Sequence, residues 1–134
     1  MLALVLLFSS AFNPVETGLK EGKQAPMLKL NYSEGAVTLS ELKGRYVLLN
    51  IWAGYDAPSR MENIRFAREI DKSEIENISL VSVSFDTSRK VFEETIKRDG
   101  LNTATQFYDK DGSQSDIFDN YRLNKGFASY LISP

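Results

Sequence analysis

An α/β fold, one central sheet with helices on its flanks, is what this sequence predicts, and three stretches predict it. Tyr46-Val-Leu-Leu-Asn-Ile-Trp52 is nearly unbroken in apolar and β-favouring residues, the pattern of a central strand buried on both faces. From Pro58 to about Lys72 the period changes: Met61, Ile64, Phe66, Ala67 and Ile70 recur at three and four residues, while Arg60, Glu62, Arg65, Arg68 and Glu69 fill the other face. Ile78 to Phe85 returns to strand character, with Ile78, Leu80, Val81, Val83 and Phe85 set among serines. Strand, amphipathic helix and strand make a βαβ unit with parallel strands.

The remaining elements follow around this unit. Gly18 to Asn31 is polar with Gly and Pro punctuation, a loop leading to a short strand near Leu28 to Leu30. Ser33, Glu34 and Gly35 supply a turn before a strand at Ala36 to Leu39. Thr38 and Glu41 have capping-box spacing and Gly44 can stop a single turn, so a short helix is expected over Ser40 to Lys43. Val91, Phe92, Thr95 and Ile96 mark a second helix, closed by Lys97 and Arg98 near the negative end of its dipole and by Gly100. Thr105 to Tyr108 reads as a short strand, Asp109 to Gly112 as a turn, and Ser113 as the cap of a helix holding Ile117, Phe118 and Tyr121. Phe127 to Ile132 is the last strand.

Composition narrows function mainly by exclusion. The chain has 134 residues, 43% hydrophobic and 25% charged, with net charge −2, which suits one globular domain with an ordinary core. Without a basic stripe, nucleic acid is not an expected partner. Zero cysteine removes disulfides, thiolate nucleophiles and zinc–thiolate sites; zero histidine removes the commonest general base and transition-metal ligand. No cofactor and no metal are expected. Asp109, Asp111 and Asp116 with Gly112 lack the register and terminal Glu of a calcium loop, so they read as a solvated turn.

Leu2 to Phe8 is an apolar run of seven followed by Ser9, Ser10 and Ala11, with no Lys or Arg before it. It is far short of the ~20 residues that span a bilayer, so no integral membrane segment is expected. Residues 1–16 read as the remnant of a secretory leader, which places the protein outside the cytoplasm, in a periplasm; the alternative is an N-terminal arm on a cytoplasmic domain. Residues 17–134 form the domain itself.

Four segments carry a family resemblance. Glu21-Gly-Lys-Gln-Ala-Pro26 is similar to a G-x-x-A-P opening, Val37-Thr-Leu-Ser-Glu-Leu-Lys-Gly44 to V-x-L-S-x-L-K-G, and Tyr46 to Ala53 to a V-L-L-N-F-W-A strand. Asp119 to Ile132 resembles a Y-x-V-x-G-x-P-T-x-F-L-I ending, with Tyr121, Gly126, Leu131 and Ile132 in place. In this order and spacing the chain resembles the thioredoxin-like superfamily, in its TlpA/ResA-like branch of thiol-disulfide oxidoreductases related to AhpC/TSA. The resemblance implies a thioredoxin-like fold: a central mixed sheet with flanking helices. Members of that branch continue past the strand at Phe127 to Ile132 with another strand and a closing helix, whereas this sequence ends at Pro134. The last strand is therefore expected as an exposed edge bearing Phe127, Tyr130 and Leu131.

The departures from the family fall on its chemistry. Where redox members read W-A-x-W-C-x-x-C-R, this chain reads Trp52-Ala-Gly-Tyr-Asp56-Ala-Pro-Ser59-Arg60. Asp56 stands at the nucleophilic cysteine and Ser59 at the resolving one, and neither side chain can take part in thiol–disulfide exchange. The family's cis-proline, in G-x-P-T, is replaced in Gly126-Phe127-Ala128-Ser129 by Ala128. A cis bond before a non-proline residue costs roughly 2.5–4 kcal/mol, so a trans Phe127–Ala128 bond and an altered loop are expected.

Asp56 precedes the amphipathic helix, where an aspartate N-cap is worth ~1 kcal/mol over alanine, and Pro58 fits the same helix start. Ser59 as a nucleophile would need a base, and only Asp56 is local. Arg60, Arg65 and Arg68 read as a solvent face paired with Glu62 and Glu69. Trp52 is expected to be buried against the helix, with Tyr55 exposed beside Phe127. No catalytic residue is expected. The resulting reading is a redox-inactive thioredoxin-like domain that binds a protein or peptide at Tyr55, Asp56, Arg60 and Phe127. Two others stay open: a decayed or truncated family member, and a non-thiol enzyme using Asp56 with Ser59 and Arg60, which would need a raised carboxyl pKa in a closed pocket.

Overall fold

The strand that the sequence places at the centre is at the centre. In the computed structural model, which describes residues 15–32 and 35–134, β3 (Tyr46–Trp52) pairs in parallel with β4 (Ile78–Ser84) and antiparallel with β6 (Ser129–Ile132). A third parallel strand, β5 (Gln106–Tyr108), lies outside β4, so the mixed sheet has the order β5-β4-β3-β6. The hairpin β1 (Lys29–Tyr32) and β2 (Gly35–Thr38) is a separate antiparallel pair. The apolar run at Leu2–Phe8, and Ser33 and Glu34 of the expected turn, lie outside the described residues. Among the described residues no helix is long and apolar enough to cross a membrane.

Helix α1 (Ala57–Lys72) crosses from β3 to β4, and α2 (Arg89–Arg98) from β4 to β5. Ser88 caps α2 by accepting the Val91 N–H, and Gly100 turns the chain out of the helix at φ +65°. The short helix after β2 is a 3-10 turn over Leu39–Leu42, one residue earlier than expected, with the Glu41 carboxylate accepting the Thr38 N–H at 2.8 Å. The cap of α3 (Asp116–Asn120) is Ser115 and not Ser113: the Ser115 hydroxyl accepts the Ile117 N–H, while Ser113 sits in a preceding 3-10 turn, Gly112–Gln114. The Asp109 carboxylate accepts the Asp111 N–H and the Ser115 O–H, and among the described residues no acidic cluster is arranged to hold a metal.

The two faces of the sheet differ in chemistry. On one, Val47, Leu49, Ile51, Val81, Val83, Phe85 and Phe107 pack with Leu28, Leu30, Ile117, Tyr121 and Leu123 in the main apolar core. The Tyr121 O–H donates to the Pro26 carbonyl at 2.8 Å, pinning α3 to the segment before β1. On the other face, under α1, a polar row crosses the whole sheet. Asn50 is in register with Ser82 on one side and Ser129 on the other, and Ser82 with Gln106, one residue from every strand. Asn63 of α1 seals the row: its Oδ1 accepts from Asn50 and Gln106, and its Nδ2 donates to Gln106 at 3.1 Å. Asn50, Asn63, Ser82 and Gln106 are buried.

This row corrects the expected face of α1. The helix buries Ser59, Asn63 and Ala67 against the sheet, whereas Met61 is 64% exposed. Small and amide side chains at four-residue spacing let the helix approach strands that already carry polar groups. Trp52 is fully buried, as expected, but its buried apolar neighbours are Phe92 and Ile96 of α2 and not residues of the helix that follows Asp56. The last strand begins at Ser129, two residues later than expected, and forms an edge among the described residues with Leu131 64% exposed.

Candidate functional site: the turn between β3 and α1

Leaving the sheet at Trp52, the chain turns through Ala53 to Asp56 and enters α1, and a set of short-range hydrogen bonds ties the turn to the first turn of the helix. The Asp56 N–H donates to the Ala53 carbonyl (3.1 Å), and the Ala53 N–H donates to Ser59 Oγ (3.2 Å). The Ser59 hydroxyl donates in turn to the Asp56 carbonyl (3.1 Å). Asp56 is the N-cap, its Oδ2 accepting the Ser59 N–H at 3.0 Å, with Pro58 in the first turn. The side chains at the family's two cysteine positions are thus both used to start the helix.

Behind the turn stands a buried carboxylate. Asp86, just past β4, accepts the Gly54 N–H (2.7 Å) on one oxygen and the Ser84 O–H (2.7 Å) on the other, so its lone pairs face donors despite burial. A Cβ at residue 54 would sit 3.1 Å from both Asp86 Oδ1 and Thr95 Oγ1, which explains glycine there by close approach. Neither Asp86 nor Gly54 stood out in the sequence reading. The available cue was an aspartate ending an otherwise apolar strand, opposite a glycine after β3.

Arg60 departs from the expected solvent face. Its Nε and Nη2 donate to Asp99 Oδ2 (2.9 Å) and Oδ1 (2.6 Å), a two-pronged pair joining the first turn of α1 to the C-cap of α2. The hydrogen bond to Asp99 raises the Arg60 pKa further, against the opposing effect of burial. Arg65 does pair with Glu62, as the helical spacing implies.

Tyr55 projects from the turn, 67% exposed, with its ring 6.3 Å from that of Phe127. Phe127 contacts Phe85, which contacts Phe118, so an aromatic ladder runs from the surface to the core edge. The loop carrying Phe127 is fixed at Ala128, whose carbonyl accepts the Ile51 N–H at 3.1 Å. Among the described residues no peptide bond is cis, so Phe127–Ala128 is trans. Gly126 enters the loop at φ +114°, a conformation that favours glycine. Tyr55, Asp56 and Phe127 therefore share one surface, while Arg60 is turned to Asp99.

A family model described as the AhpC/TSA family matches residues 22–132. The chain belongs to the AhpC/TSA family. Within it, the chain is 32% identical over 80 residues to the thioredoxin-like protein YneN of Bacillus subtilis, a match covering 59% of this chain and 46% of YneN. It is 25% identical over 129 residues to the thiol-disulfide oxidoreductase ResA of the same organism, covering 96% of this chain and 69% of ResA. The chain thus spans about half the length of the first of these relatives and about two-thirds of the second. A crystal structure of a thioredoxin-like protein from Parabacteroides distasonis superposes with TM-score 0.74 at 36% identity, covering 87% of this chain and 82% of that one. This is a TlpA/ResA-like family member with a thioredoxin-like fold, carrying Asp56 and Ser59 where the family's motif has cysteines.

Proposed function

We propose that this chain is a redox-inactive thioredoxin-like domain that binds a protein or peptide segment on the surface of Tyr55, Asp56 and Phe127. One observation carries the reading: Asp56 and Ser59 spend their side chains on the start of α1, while Tyr55 beside them is exposed on a braced ring. The first half removes sulfur chemistry from the turn and leaves no nucleophile with a base, because the Ser59 hydroxyl donates to a backbone carbonyl. The second half leaves an aromatic anchor of the kind that dominates binding surfaces. Export to an extracytoplasmic compartment is part of the same proposal, resting on the apolar run of Leu2 to Phe8.

Two assays test it. Insulin reduction by dithiothreitol should proceed at the same rate with and without the protein; acceleration by the purified chain would overturn redox inactivity. Capture by the wild-type chain should enrich proteins that a Tyr55→Ala, Phe127→Ala double variant loses, and identical captured sets would overturn the binding surface. N-terminal sequencing after fractionation of cells expressing the gene tests export, which a cytoplasmic chain retaining Leu2 to Phe8 would contradict.

A further inference from the structure

We propose a second binding site, separate from the turn between β3 and α1, that takes a small α-amino acid with an apolar side chain, as its zwitterion. A cavity of about 160 Å³ opens beyond the C-terminal ends of β4 and β5, walled by β1, by the first residue of α2 and by the loop after β5. It lies well below the ~300 Å³ at which pockets for drug-sized ligands begin, so its occupant is small. Leu30, Val83 and Ile117 close its floor, three core side chains against which a hydrocarbon group can leave water.

The rim of the cavity carries both signs of charge. Arg89 stands over the Tyr108 ring at 5.6 Å from its centroid and 3.6 Å from the Glu93 carboxylate. That separation is longer than a hydrogen bond, so the guanidinium is oriented while its N–H donors stay free to meet a ligand. Lys29 and Lys110 line the same cavity, both exposed and without an ion pair among the described residues. On the negative side are Asp109 and Asp111. Asp109 gives both oxygens to its own turn, accepting the Asp111 N–H and the Ser115 O–H. The exposed Asp111 carboxylate has no partner among the described residues. A simple anion entering here would meet Asp111, a simple cation would meet Arg89 and two lysines, and an uncharged solute would answer neither. An amino acid answers both: its carboxylate suits the fork of Arg89, its ammonium the carboxylate of Asp111, and its side chain the floor.

The experiment follows the methyl NMR signals of Leu30, Val83 and Ile117 in the full chain, at neutral pH and low salt, during titration with L-leucine. Three relatives each lack one feature: leucinamide the carboxylate, N-acetyl-leucine the ammonium, and glycine the apolar side chain. Leucine should move the methyl signals and bind about fivefold or more tighter than each relative, the ratio that one ion pair at the upper end of the exposed range supplies. Arg89→Gln should shrink the preference over leucinamide and leave that over N-acetyl-leucine; Asp111→Asn should do the reverse. Leucinamide or N-acetyl-leucine binding as tightly as leucine overturns the zwitterion assignment, as do preferences that survive both substitutions. Methyl signals that none of the four compounds moves overturn the site itself.

Discussion

Arg60 in the first turn of α1 and Asp99 at the C-cap of α2 form a two-pronged ion pair, with the carboxylate side chain only 7% exposed. A carboxylate at a helix C-terminus opposes the dipole, so this one depends on its guanidinium. Arg60→Ala should destabilise the fold by roughly 1–3 kcal/mol, read from urea midpoints, because it leaves a buried charge without its partner. Arg60→Lys should recover only part of that, since an ammonium cannot make the parallel pair of bonds. Equal stability of all three proteins would contradict this account.

The polar layer beneath α1 should answer differently at Asn63 and at Ser82. Asn63→Leu takes the partner from Asn50 Nδ2 and from Gln106 Oε1 in a buried layer, costing roughly 1–3 kcal/mol for each orphaned group. Ser82 Oγ, in the same row, has no hydrogen-bond partner among the described protein atoms. Ser82→Ala should therefore be neutral or stabilising in the same denaturation series.

Gly54→Ala should destabilise by about 1–3 kcal/mol, as overpacking against Asp86 and Thr95 forces one of them to move. Combining it with Asp86→Ala, which removes one of the two obstructing groups and leaves Thr95, should give less than the sum of the single losses in a double-mutant cycle.

At residue 56 the cap and the charge can be separated. Asp56→Ala should cost ~1 kcal/mol of stability, whereas Asp56→Asn should cost little, because asparagine accepts the Ser59 N–H equally well.

Burial raises the pKa of Tyr121 well above its ordinary value, with the neighbouring Tyr130 adding to the shift. The folded state then holds that proton more tightly than the unfolded chain does. Stability from this group is complete below about pH 10, the unfolded value, and declines as pH rises from there toward the folded value. Tyr121→Phe should lower stability at neutral pH by about 1 kcal/mol through loss of the bond to Pro26, and should flatten the alkaline decline.

Much of this architecture was legible because single residues forced it. The apolar run 46–52, the change of period at Pro58 and Gly100 after Arg98 each allowed one local structure, and the sheet and helices follow them. The Asp56 cap was legible from its place before Pro58. The polar layer was not: Asn50, Asn63, Ser82 and Gln106 are far apart in sequence and meet only through strand register, which periodicity does not reveal. For the same reason hydrophobicity alone puts Met61 inside and Arg60 outside, the reverse of what the structure shows. Hydrophobicity marks a buried helix face only where the sheet beneath it is apolar, and here the sheet presents amides and hydroxyls to α1. Ser115 displaced Ser113 as a cap because a 3-10 turn intervenes, a choice decided by two residues of backbone.

The contacts joining Asp56 and Ser59 are N–H and O–H bonds, which neither oxidants nor reductants alter. A cysteine pair at the same two positions alternates between an open and a bridged form as electrons come and go. Here the start of the helix has one covalent form in every environment, so any molecule resting against it meets an invariant shape, and how often it does so is set by concentration and not by electron supply.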